Sequence, residues 1–183
     1  MTPTLARADI SSPADQKMAG PPPGGSAIAL LRFDHERMAF LFADYEQAGS
    51  MKEKRHIVEK IVREWRIHSR LEHEVFYPAA REALNEDGLV LGFAAENTAI
   101  DTLVGALEHR EPGDEAYDAE VRVLGKFIKS HAKEEQGQLF QPVKASAMNL
   151  GVVGAQLKQR KRELLADDAP AAPPPLSPRG TPA

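Results

Sequence analysis

Proline is nearly absent from the middle of this 183-residue chain. Of its 14 prolines, five lie in residues 1–26 and six in residues 167–183, which leaves Pro78, Pro112 and Pro142 between them. Proline has no amide proton and a fixed φ, so it interrupts helices and sheets alike. Regular structure is therefore confined to residues 27–166. The flanks, residues 1–26 with the run Pro21-Pro22-Pro23-Gly24-Gly25 and residues 167–183, are poor in apolar side chains. They are expected to be a disordered Pro/Gly-rich head and a disordered Pro-rich tail.

Between the flanks the apolar residues recur at helical spacing, and strand-like alternation is missing. Gly49-Ser50 ends a first helix, and Ser50 with Glu53 forms a capping box for the second. Pro78 kinks or closes the second helix. Asn85 to Gly88 is a turn signal, Glu111-Pro112-Gly113-Asp114 is another with Asp114 as a cap, and Gly137 and Pro142 mark the fading of the fourth helix. The expected helices span 27–48, 51–83, 89–109 and 114–140, with a short fifth segment at 149–165. Helices of comparable length joined by short turns predict an all-α, up-down antiparallel four-helix bundle with a short C-terminal helix.

Composition narrows the chemistry. Without cysteine there is no disulfide, thiolate metal site or cysteine nucleophile. A net charge of -4 argues against a general nucleic-acid binder. The basic run Lys158 to Arg162 reads as a solvated helix end. No run of about 18 apolar residues is evident, so no membrane span is expected. Nor does the N-terminus show the basic-then-apolar pattern of a secretory signal, so a cytoplasmic protein is expected.

The informative residues interrupt the apolar stripes. The first stripe reads Leu31, His35, Met38, Phe42, Tyr45, and the second Ile57, Ile61, Trp65, His68, Glu72, Phe76. The third reads Phe93, Asn97, Ile100, Val104, Leu107, and the fourth Val121, Leu124, Ile128, His131, Glu135, Leu139. Each carries at least one polar residue aimed at the core. A buried carboxylate without a partner costs several kcal/mol, whereas two carboxylates among three imidazoles are compatible with a multivalent cation. His-x-x-x-Glu occurs on two stripes, and residues four apart lie on one helix face, about 6 Å apart along the axis. Such a pair offers an imidazole to one metal and a carboxylate able to bridge to a second. Nitrogen and oxygen donors without thiolate suit iron, manganese or zinc; bridging carboxylates in a bundle favour a di-iron centre. The competing reading is a hydrogen-bonded polar core with no metal. On an ideal wheel His73 points about 115° from the second stripe, and His56 and His109 are peripheral as well. Phe42, Trp65, Phe76 and Phe93 are expected to pack around the site.

These residues resemble the hemerythrin-like (HHE cation-binding) family. The resemblance rests on Phe33-Asp34-His35-Glu36-Arg37, on Ile67 through His68, Glu72, His73, Glu74, Val75, Phe76 and Tyr77 to Pro78, and on Ser130-His131-Ala132-Lys133-Glu134-Glu135 followed by Phe140 and Pro142. Asp114 to Leu124 and the closing Arg160-Lys161-Arg162-Glu163-Leu164 add to it, so that it covers residues 27–165. It implies a four-helix bundle holding non-haem iron that binds dioxygen or responds to iron, oxygen, nitric oxide or peroxide. Carried over by position, His35, His68 and His131 are terminal ligands, and Glu72 and Glu135 are bridging carboxylates. The third helix departs from the family pattern, with Glu96-Asn97 where Glu-His is usual. Asn97 and His73 are further candidates. The departure leaves three outcomes: an open position on one of two metals, a single metal, or a metal-free bundle that serves as a protein-interaction module. The expected partner is a small diatomic or oxidant ligand, with binding or sensing favoured over catalysis, in a monomer or homodimer.

Overall fold

A computed structural model of the chain describes residues 25–167. The expected disordered head and tail lie outside the described residues, apart from their inner edges. Ser26 is part of the fold, because its Oγ accepts from the Ala29 amide and caps α1, Ala27–Gln47. The second helix begins with α2, Met51–Leu71. There Ser50 Oγ accepts from the Glu53 amide at 3.2 Å, and the Glu53 carboxylate accepts from the Gly49 amide at 2.9 Å. That reciprocal bonding satisfies first-turn donors that would otherwise be orphaned.

The helix does not stop at Pro78. It passes through one widened turn, Glu72–Phe76, into α3, Tyr77–Leu84. In this π turn the Tyr77 amide bonds to the Glu72 carbonyl, five residues back. The same device recurs later. α5, Tyr117–Glu134, runs through a second π turn, Glu135–Leu139, into α6, Phe140–Ala145. There the Phe140 amide bonds to the Glu135 carbonyl. An α-helix would set the proline ring against the carbonyl four residues before it. For Pro78 that carbonyl is Glu74's, and for Pro142 it is Gln138's; both lie in turns whose ladder has slipped by one residue. So the fourth helix also continues past Gly137 and Pro142.

Asn85, at φ 51°, closes α3 in the left-handed conformation. α4 then spans Asp87–Leu107. In the next loop Asp114 does not cap a helix. Its carboxylate accepts from the Glu111 amide at 3.1 Å and closes the turn, Gly113 takes φ 109°, and α5 starts three residues later. α7, Leu150–Asp167, follows α6. No strand forms among the described residues.

The core falls into two apolar clusters. α1 contributes Ala27 to Leu31 to the first and Met38 to Tyr45 to the second; α4 contributes Val90 and Phe93 to the first and Ile100 to Leu107 to the second. α2 and α5 run the other way, with Ile57 to Trp65 and Val121 to Ile128 in the second cluster before Leu71 and Leu139 in the first. This alternation is the up-down antiparallel bundle. Between the clusters, at the same depth in every helix, lie His35, His68, Glu72, Asn97, His131 and Glu135.

By length and composition alone α4 is apolar enough to cross a membrane, although no run of about 18 apolar residues occurs in it. Alanines such as Ala94, Ala95 and Ala99 add to its scattered leucines and valines and raise its average without any long apolar run. Asn97 and Asp101, on its inner side, are tied to neighbouring helices by hydrogen bonds.

Candidate metal centre

The polar layer brings its donors to one point. His35 Nε2 lies 3.0 Å from His68 Nε2 and 3.5 Å from Glu135 Oε2. His68 Nε2 lies 3.1 Å from Glu72 Oε1, and His131 Nε2 lies 3.9 Å from Glu72 Oε2. One ligand atom from each of His35, His68, Glu72 and His131 falls within 4.8 Å of the others. Two nitrogens each about 2.1 Å from a shared ion, at about 90° to one another, would be about 3 Å apart, which is the separation between His35 and His68. His68, Glu72, Asn97 and Glu135 are wholly buried, and His35 and His131 are nearly so.

Each imidazole turns Nε2 inward and meets a polar group with Nδ1. His131 Nδ1 is 2.9 Å from Glu96 Oε2. His35 Nδ1 is 3.3 Å from Gln136 Nε2, and an acceptor there would require the amide turned over. His68 Nδ1 is 3.9 Å from Asp34 Oδ2, and Lys161 Nζ donates to Asp34 Oδ1 at 2.6 Å. For His131 the carboxylate on the outer ring nitrogen fixes the tautomer and leaves the inner lone pair free for a cation, whereas Asp34 stands just beyond hydrogen-bond reach of His68 Nδ1. Asp34, Glu96, Gln136 and Lys161 were not candidates in the sequence. Asp34 and Glu96 each stand one residue before a stripe position, and Gln136 one residue after; that adjacency was the available signal. The run Lys158 to Arg162 is correspondingly not all solvated, since Lys161 faces inward and Arg160 binds Glu74 at 2.5 Å.

Asn97 occupies the third stripe as expected, and its Nδ2 donates to Glu72 Oε2 at 2.7 Å. Tyr77, brought inward by the first π turn, donates its hydroxyl to the same oxygen at 3.1 Å. His73 is exposed beside that turn, its ring 5.6 Å from Tyr77. Trp65 packs 5.8 Å from His68 and 5.9 Å from His131, and Phe93 lies 5.9 Å from His131. Phe76 meets Phe140 edge-on, and Phe140 stacks on His35. Phe42 instead covers Gly125 in the second apolar cluster, where a Cβ would come within 3.0 Å of its ring.

Charge is shared unevenly across the layer. Burial, and then the neighbouring His68, push His35 down to about 3, so it is neutral. For His68 burial works against protonation, but Glu72 and Asp34 outweigh it and raise it to about 9. Glu72 is held well below the ordinary carboxylate range, because His68 and His131 overcome its burial. Glu135 moves the other way, raised by burial and by the Glu72 carboxylate. Two carboxylates of one layer are thus pushed in opposite directions.

The hydrogen bonding is incomplete. His68 Nδ1, Glu72 Oε1, Asn97 Oδ1, His131 Nε2 and both oxygens of Glu135 are buried without a hydrogen-bond partner. Most buried polar groups are paired, and all but His68 Nδ1 among these are donor atoms of candidate ligands. Oxygen and imidazole nitrogen at such spacing fit one or two hard-to-borderline cations. A cleft of about 430 Å³ between α4 and α5 reaches His131 past Glu96, Ile100 and Phe127. A larger groove of about 760 Å³ along α2 touches none of the six layer residues.

Comparison with known proteins agrees with this fold. The Hemerythrin HHE cation binding domain family matches residues 26–143. The crystal structure of a hemerythrin HHE cation-binding domain-containing protein from Mycobacterium kansasii is similar over 78% of this chain and 89% of that one, with 19% identity and a TM-score of 0.67. That likeness concerns the fold. No curated protein matches the chain significantly.

Proposed function

From the premise that the chain belongs to the hemerythrin HHE cation-binding family, we propose that it is a non-haem iron protein whose centre binds a small oxidant or diatomic ligand. His35, His68 and His131 would hold the iron through imidazole nitrogen, and Glu72 and Glu135 through carboxylate oxygen. The observation that carries this reading is the set of unpartnered, buried donor atoms on Glu72, Asn97, His131 and Glu135, in the layer where His35, His68, Glu72 and His131 converge. A metal-free polar core would leave these atoms orphaned at a cost of about 1–3 kcal/mol each.

Iron supplies electron exchange with the small ligand. The chain's own residues do the rest. Trp65, Phe93 and Phe140 exclude bulk water, the cleft beside His131 admits a small molecule, and the Tyr77 hydroxyl orients Glu72. Asn97 replaces an imidazole by an amide oxygen, a weaker donor to iron. The His131 side is therefore where an exogenous ligand enters.

The test is metal analysis by mass spectrometry of protein purified without chelators after growth in iron-rich medium, with near-ultraviolet and visible spectra. Two irons per chain with oxo-bridged ferric absorption is the expected result. One iron without that absorption refutes the dinuclear form. A chain free of metal refutes the reading altogether and leaves a bundle with an interaction role.

A further inference from the structure

We propose that Lys161, which lies on α7 beyond the residues matched to the family, is a positioning residue for the metal centre: it holds the buried Asp34 carboxylate against His68. The inference rests on the metal-binding reading above.

The register of α7 begins at Gly154. A Cβ there would stand 2.8 Å from the Gly25 carbonyl oxygen and 2.9 Å from the Ala27 nitrogen, both backbone atoms, so only glycine permits this approach to the start of α1. Seven residues further along α7 is Lys161, and seven residues beyond Ala27 on α1 is Asp34. Two helical turns on each helix, about 10.5 Å, bring these side chains together at 2.6 Å. α1 and α7 are thus parallel, registered by a backbone contact at one end and an ion pair at the other. Val153, Leu157 and Leu164 bury against the first apolar cluster and hold α7 down.

This pair is not an ordinary surface ion pair, which would contribute little. The Asp34 side chain is 7% exposed. One oxygen takes the ammonium, and the other faces His68 Nδ1, which has no hydrogen-bond partner of its own. A carboxylate anchored on its far side presents a fixed acceptor. In the metal-bound state the acceptor selects the ring form with hydrogen on Nδ1, which leaves the Nε2 lone pair for a cation held beside Glu72 and His35. Without the ammonium, a buried carboxylate loses its counter-charge and has reason to turn toward solvent. His68 then loses its orienting group while its Nε2 still faces the centre.

The experiment compares wild type, Lys161→Met, Lys161→Arg, Asp34→Asn and Arg160→Met. Zinc affinity is measured by competition titration, and the His68 Nδ1–H proton of the zinc-loaded proteins is followed by nuclear magnetic resonance. Lys161→Met and Asp34→Asn are expected to bind zinc about 10–100-fold more weakly and to lose the exchange-protected Nδ1–H signal. Lys161→Arg should restore both. Arg160→Met, which removes the pairs to Glu74 and Glu163 from the same helix but leaves the Lys161–Asp34 pair, should keep both. Wild-type affinity and signal in Lys161→Met overturn the assignment, as does equal loss in Arg160→Met, which would make docking of α7 the cause. If Lys161→Met does not fold, Asp34→Asn carries the comparison. Failure of wild type to bind zinc or iron is a different result: it removes the metal reading, and this inference with it.

Discussion

The two buried glutamates should respond to removal with opposite signs in the metal-free protein. Glu135 has no hydrogen-bond partner on either oxygen, and its carboxyl is driven toward the neutral form by burial and by Glu72. Replacing it with leucine removes an unsatisfied polar group and leaves no hydrogen-bond donor stranded. The expected gain is about 1–3 kcal/mol, or about 2–10 °C in melting temperature for a chain of this size. Glu72 is its opposite. Asn97 Nδ2 and Tyr77 Oη both donate to it, and the protonated His68 lies 3.1 Å away. Glu72→Leu strands all three and should cost about 3–5 kcal/mol, the range for breaking a buried ion pair on one side. Thermal unfolding by circular dichroism after chelator dialysis reads both values. Adding metal should stabilise wild type by about 2.7 kcal/mol at a hundredfold excess over Kd, read as a higher melting temperature, and give a much smaller rise in either variant. A metal-free Glu135→Leu protein that melts below wild type would refute the view that this carboxylate is kept for a cation at the expense of stability.

Three further outcomes are expected. Asn97→His should raise iron occupancy or affinity by supplying an imidazole on the third helix; unchanged stoichiometry, with wild type holding two irons, would show that position 97 does not face the centre. Trp65 is the sole tryptophan and packs against His68 and His131, so iron loading should quench its fluorescence far more than zinc loading, and equal emission with and without iron would contradict the placement. Metal uptake should strengthen as pH rises, because His68, raised to about 9, and Glu135, raised by burial, must release protons to bind. Competition titrations at about pH 6 and about pH 8 should differ by up to tenfold per pH unit for each proton released, and a pH-independent Kd would contradict this assignment of protons.

Much of the layer was legible because helical periodicity is local. His35, His68 with Glu72, Asn97, and His131 with Glu135 each fall in an apolar stripe, and every one is buried at the same depth. The wheel failed where the helix stopped being α. It placed Phe76 and Leu139 four residues after the two glutamates, and both are buried, but the π turns also bring in Tyr77 and Phe140 at five. π turns often accompany functional sites, and here both begin at a site glutamate. Pro78 and Pro142 were the visible trace of them, read instead as a kink and a fading end.

From the sequence alone come the helical class, the four stripes and the polar residues within them, since these depend on neighbours three and four positions away. The lack of cysteine likewise restricts the ligand chemistry to nitrogen and oxygen. Only tertiary packing decides which outer groups hold the imidazoles. Asp34 and Lys161 are 127 residues apart and His131 and Glu96 are 35 apart, and no periodicity links such pairs. The opposite shifts of Glu72 and Glu135 are decided there too, because they depend on which groups surround each buried carboxylate and not on the His-x-x-x-Glu spacing they share.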